Sequence, residues 1–178
     1  VNSNYLLPND YEQVLTKARA RKRKKNETKD NDFKRKEFSK SFYSENYEKL
    51  EIKYIKMHRY KHYTSIDSLF SSRIQKIKKE NGLVLKSKTS KELNSLYTMN
   101  VVFSDTNSAR EIRAKFILKN GALYILKTLT DSVSEPSKFV NQFFETFTPL
   151  DTTIGISPLL DKSTMFFDAI NGNDSLEK

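Results

Sequence analysis

The sequence predicts an α+β fold, an antiparallel sheet with helices packed on it, preceded by a basic helical arm. Three observations carry that prediction. Residues 112–147 hold two apolar strand-like runs joined at Asn120-Gly121, then a helical run from Pro136 to Phe147. Tyr97, Met99, Val101 and Phe103 alternate with Thr98, Asn100 and Val102, the period of a strand. Ile66, Leu69, Phe70, Ile74 and Ile77 recur at helical spacing between two further strand-like stretches.

Taken in order, residues 1–8 form an extended lead-in. A helix starts at Asn9 or Asp10, places Tyr11, Val14, Leu15 and Ala18 on one stripe, and runs into Arg19-Ala-Arg-Lys-Arg-Lys-Lys25. Residues 26–48 mix charges with isolated aromatics, Phe33, Phe38, Phe42, Tyr43 and Tyr47, and read as a weakly ordered linker. Leu50, Ile52 and Tyr54 share one face of a first strand, whose phase breaks at Ile55 and suggests a bulge or strand end there. Thr64-Ser-Ile-Asp67 resembles a capping box at the head of the next helix, and Asn81-Gly82 ends it. Residues 83–89 form a short strand. In the hairpin, Ile112, Ala114, Phe116 and Leu118 face one way, and Asn120-Gly121 supplies the positive φ that a two-residue type I′ turn needs. The return strand is apolar on both faces, so it belongs in the middle of the sheet. Pro136 suits the first turn of the following helix, and Phe139, Val140, Phe143, Phe144 and Phe147 form its buried face. A short helix over Ser163–Ile170 brings Met165, Phe166, Phe167 and Ile170, which need somewhere to dock. The chain divides into a basic arm and linker (1–48), an α+β domain (49–150) and a tail with a short helix (151–178), which could lead into a further domain.

The 178 residues suffice for one domain with appendages. Charge is distributed unevenly. Residues 1–61 carry 17 Lys and Arg against 9 Asp and Glu, whereas residues 62–178 carry 15 against 13. A basic arm on a nearly neutral domain implies either a polyanionic partner or a solvated linker. Within it, Arg19, Arg21, Lys22, Arg23, Lys24 and Lys25 are the candidate polyanion-binding residues, with Phe33, Phe38, Phe42 and Tyr43 available either to stack on bases or to dock on the domain. The absence of cysteine excludes disulfides, thiolate metal sites and a thiol nucleophile. No run approaches the roughly 20 apolar residues of a membrane-spanning helix. Val1-Asn-Ser-Asn-Tyr-Leu-Leu7 does not read as a signal peptide, and the chain reads as a piece of a longer or processed protein.

The order of strand, helix, strand, antiparallel meander and helix over about residues 49–148 resembles the sandwich of PsbP-like domains. Within it, Gly121-Ala-Leu-Tyr-Ile-Leu126, Pro136-Ser-Lys-Phe-Val140 and Phe143-Phe-Glu-Thr-Phe-Thr-Pro-Leu-Asp151 are similar to a module of long Bacteroidota envelope proteins, some labelled TraB/GumN family. The resemblance implies a non-catalytic module on the periplasmic or surface side of the envelope. The Gly-x-x-His motifs of TraB/GumN catalysis have no counterpart, so no catalytic residue carries over.

Other motifs are sparse. His58 and His62 stand four residues apart, a spacing that holds zinc on a helix, but Arg59 occupies the place of a metalloprotease glutamate and Lys61 adds a second cation. Gly155-Ile-Ser157 lacks the closing glycine of a nucleophile elbow. Four glycines, at 82, 121, 155 and 172, leave no phosphate loop. The expectation is therefore a non-enzymatic binding or structural module without cofactor or metal, contacting a protein partner or neighbouring domains. The alternative is nucleic-acid binding by the 19–25 run, with cytoplasmic placement as the alternative location.

Overall fold

In a computed structural model, which describes residues 36–93, 96–151 and 154–171, six strands form a single antiparallel sheet in the order β1-β2-β6-β5-β4-β3. The strands are β1 (Lys36–Tyr43), β2 (Lys49–Lys56), β3 (Val84–Leu93), β4 (Leu96–Ser104), β5 (Arg110–Lys119) and β6 (Ala122–Asp131). Helix α1 (Ile66–Asn81) connects β2 to β3, and α2 (Lys138–Thr146) and α3 (Ser163–Ile170) follow the sheet. The fold is α+β. The expected helix over Asn9–Lys25 lies outside the described residues. No helix among those described is long and apolar enough to cross a membrane.

The β2-to-β3 connection must pass three strands, so α1 lies across one face of the sheet and contacts β3 and β4. Ser65 caps it by accepting the Ser68 N–H at 3.1 Å, one residue later than the capping box over Thr64–Asp67 implies. Gly82, at φ 65°, returns its N–H to the Lys78 carbonyl. Leu69, Phe70, Ile74 and Ile77 then meet Met99, Val101, Phe103, Ile112, Ala114, Phe116, Leu118 and Leu123, with Phe70 stacked 5.7 Å from Phe116. All of these strand residues but Leu123 are ones that alternation assigned to one face of their strand.

The opposite face carries α2, where Phe143 meets Phe42 of β1 and the C-capping Phe147 meets Tyr124 of β6. Ser137 caps α2 by accepting the Val140 N–H, and its own hydroxyl donates to Glu48 at 2.7 Å, tying the helix start to the β1–β2 turn. Pro136 is buried ahead of that cap rather than inside the first turn. At the other end Lys115 donates to the Phe144 carbonyl at 2.7 Å and Lys119 to that of Pro149. Burial pushes the Lys115 ammonium below its usual pKa, while its position suits the negative helix end. Of the expected buried face only Val140 is buried, and Phe139, Phe143, Phe144 and Phe147 are half-buried. Phe143 instead joins an aromatic ladder, 5.8 Å from Phe42 and 6.3 Å from Phe147, which lies 5.9 Å from Tyr124. Truncating Phe143 to Ala should therefore cost about 1–2 kcal/mol, below the range for a fully buried ring. Urea titration of the variant checks this, and a loss as large as that of Phe116→Ala, whose ring is fully buried, would mean the ladder contributes more than its area.

Residues 36–43, expected to be linker, form edge strand β1 in continuous register with β2, from Lys36 opposite Lys56 to Tyr43 opposite Lys49. The boundary at residue 48 therefore falls inside the sheet. An edge strand with most residues in water carries no apolar alternation, and backbone pairing holds it. The phase break at Ile55 is neither bulge nor strand end. Register with β6 continues to Lys56, and Ile55 is buried on the α1 face of a strand flanked on both sides. β3 runs four residues past its expected end and carries the sheet's bulge between Leu85 and Ser87. The Asn120-Gly121 turn has the expected form, with Lys119 opposite Ala122 and positive φ at both central residues, 49° and 76°.

Candidate protein-interaction site

After β2 the chain enters an irregular loop, residues 57–64, anchored by the buried Met57. The tail returns to this loop and is bonded to it repeatedly. The Tyr63 N–H donates to the Pro158 carbonyl at 2.8 Å, Lys162 Nζ donates to the Lys61 carbonyl at 2.8 Å, and His62 Nδ1 lies 3.0 Å from the Leu160 carbonyl. Lys162 is buried, which pushes its pKa down. At the start of α3, Asp161 accepts from the Ser163 N–H at 2.9 Å and from its hydroxyl at 2.6 Å. Those bonds, helped by the nearby His62, hold the Asp161 carboxyl below its ordinary pKa. The tail belongs, through residue 171, to the same compact unit as the sheet.

This arrangement orients α3. Ala169 is buried against the domain, while Leu160, Phe166, Phe167 and Ile170 are 56%, 48%, 60% and 64% exposed. Phe166 meets Tyr60 edge-on at 5.8 Å and Phe167 at 6.0 Å. Between them opens a hollow of about 450 Å³ with His62, Asp161 and Lys162 on its polar side. The helix that needed somewhere to dock buries its small residue and presents its large ones to solvent. Contiguous exposed apolar side chains rimmed by polar groups are the usual mark of a contact surface.

The chain is similar to a Pseudomonas aeruginosa protein of unknown function, described as a proposed regulator, at 11% identity and a TM-score of 0.45 over 67% of this chain and 86% of that one. No family model matches the chain, and no curated protein matches it in sequence.

The candidate polyanion-binding residues, Arg19, Arg21, Lys22, Arg23, Lys24 and Lys25, lie outside the described residues. His58 and His62 sit on the irregular loop, not on a helix, and are engaged separately, since His58 Nδ1 accepts the Tyr60 N–H at 3.2 Å whereas His62 pairs with the tail. No cluster of three or more metal-ligating side chains occurs among the described residues. Sequence reasoning missed the role of Tyr60 and Asp161 in the hollow, because they come from segments about a hundred residues apart with no shared motif.

Proposed function

We propose that the chain is a non-catalytic binding module that acts through protein–protein or interdomain contact at the α3 surface. The exposed Leu160, Phe166, Phe167 and Ile170 carry this reading. The hydrogen bonds between loop 57–64 and the tail fix that surface before any partner arrives, which lowers the ordering cost of binding. The partner it fits presents an apolar helix or loop with a polar group for the His62 and Asp161 side of the hollow.

A photo-crosslinking residue placed at Phe167, with a control at the still more solvent-facing Val133, tests this in the source cells. One adduct specific to position 167 is expected, competed by the wild-type chain and not by a Phe167→Asp/Ile170→Asp variant. Competition by both chains alike, or the same adduct at Val133, would overturn the reading. The similarity to Bacteroidota envelope modules supports placing the module at the cell envelope, and the compartment in which the adduct is recovered tests that placement. Nucleic-acid binding by residues 19–25 is the alternative. It predicts sequence-selective oligonucleotide binding that survives physiological salt, which an anisotropy titration at two salt concentrations reads directly.

A further inference from the structure

Helix α1 contacts β3 and β4, and beside it the same face of the sheet carries a cleft over β2 and β6. Its floor is apolar, made by Ile55, Ile77 and Ile125, and its volume is about 140 Å³. Its walls bring together Lys53 from β2, Arg73 and Lys76 from α1, and Lys127 from β6. An adjoining hollow of about 280 Å³ shares Glu51 and Lys127 and adds Lys49 and Arg110. Register explains the convergence. Glu51 stands opposite Lys127, Lys53 opposite Ile125 and Ile55 opposite Leu123, so β2 and β6 set charged residues beside apolar ones on one surface.

The acids present do not saturate Lys76 and Lys127. Lys53 has a carboxylate at hydrogen-bonding distance, Glu37 at 2.7 Å. Glu51 is shared between Lys127 at 3.7 Å and Lys49 at 3.9 Å, and Lys76 stands 3.6 Å from Glu80. Those separations keep the Coulomb attraction but exceed hydrogen-bond length, so ammonium donors remain for a third group.

We infer that this cleft binds an acidic peptide segment of a protein partner, one that alternates carboxylate and aliphatic side chains. Carboxylates meet Lys76, Lys127 and Arg110 while an aliphatic side chain enters the isoleucine floor, whose volume suits about one side chain. Charge complementarity selects an acidic partner, and the apolar floor selects a peptide over a polyphosphate. A nucleic-acid backbone would have to run its continuous negative charge past Glu51 and Glu80. This site is separate from the α3 surface and stands whether or not that surface binds. Glu51 has a defined part in it, because its carboxylate competes with the incoming one for Lys127.

The test uses the full chain and a fluorescein-labelled (Glu-Leu)4 peptide, with a labelled dT8 oligonucleotide as the second probe, in anisotropy titrations at low salt. Lys76→Glu/Lys127→Glu should weaken peptide binding about tenfold or more, and Glu51→Gln should tighten it several-fold. Neither change should alter oligonucleotide binding, to which the basic arm contributes a background common to all variants. Circular dichroism confirms that each variant folds, as expected for side chains this accessible. Peptide binding that the charge reversal leaves unchanged would overturn the proposal. So would an unchanged affinity in Glu51→Gln, or an oligonucleotide that follows the same residues as the peptide.

Discussion

Gly121→Val should destabilise the domain by on the order of 4 kcal/mol or more, the exceptional end of single-substitution effects. Two costs combine. The residue sits at φ 76°, where a β-branched side chain is strained by roughly 1–2 kcal/mol. A Cβ there would also lie 2.3 Å from both the carbonyl carbon and oxygen of Gly155. That clash is with backbone, so no rotamer change relieves it. The Gly155 segment cannot simply withdraw, because the Ile154 and Gly155 N–H groups both donate to the Asn120 carbonyl at 3.2 Å. Accommodating the side chain means detaching the tail from the hairpin tip, which also disturbs the start of the path to α3. Gly82→Ala is the control. Its φ is similarly positive, 65°, but nothing lies within 4 Å of the added Cβ, so it carries the conformational cost alone, about 1–2 kcal/mol. Urea titrations of both variants decide the matter. Equal losses would mean that contact with Gly155 contributes nothing.

The Asn120-Gly121 hairpin was legible in sequence because its information is local: two residues set the turn and alternation sets the register on either side. The α1 stripe was legible for the same reason. β1 was not, because Lys36, Glu37, Phe38, Ser39 and Lys40 all face water and only pairing with β2 makes them a strand. The end of β3, Ser90 to Leu93, was missed in the same way. On α2, helical spacing gave the direction of Phe143 and Phe144 but not their depth, which depends on how far the helix stands over its part of the sheet. The α3 residues were recognised as needing a partner surface, yet nothing local says whether that surface lies within the domain. The cleft cations lie at positions 49, 53, 73, 76, 110 and 127, too scattered to form a run. Only the order β2-β6-β5 and the path of α1 bring them together. The run at 19–25 was legible because its cations are contiguous.

The second large effect is expected at Lys86. Glu111 is 1% exposed on β5, and Lys86 Nζ bonds its carboxylate from edge strand β3. Val84 stands opposite Ser104 and Ser104 opposite Glu111, so alternation gives Lys86, two residues after Val84, the face where Glu111 lies, and its side chain reaches past β4. Removing one partner of a buried ion pair leaves a desolvated charge, at a cost of about 3–5 kcal/mol. The Lys86 side chain is 54% exposed, so water screens its end of the pair, and Lys86→Met should fall near about 2–3 kcal/mol. Glu111→Leu removes the charge that needs a partner, and once it is gone Lys86→Met should cost little. The double variant should then be more stable than the sum of the single losses predicts, by about 1–2 kcal/mol of coupling. Chemical denaturation of the four chains measures this. A single Lys86→Met effect within the roughly 0.5 kcal/mol of ordinary surface substitutions would show that Glu111 does not depend on Lys86.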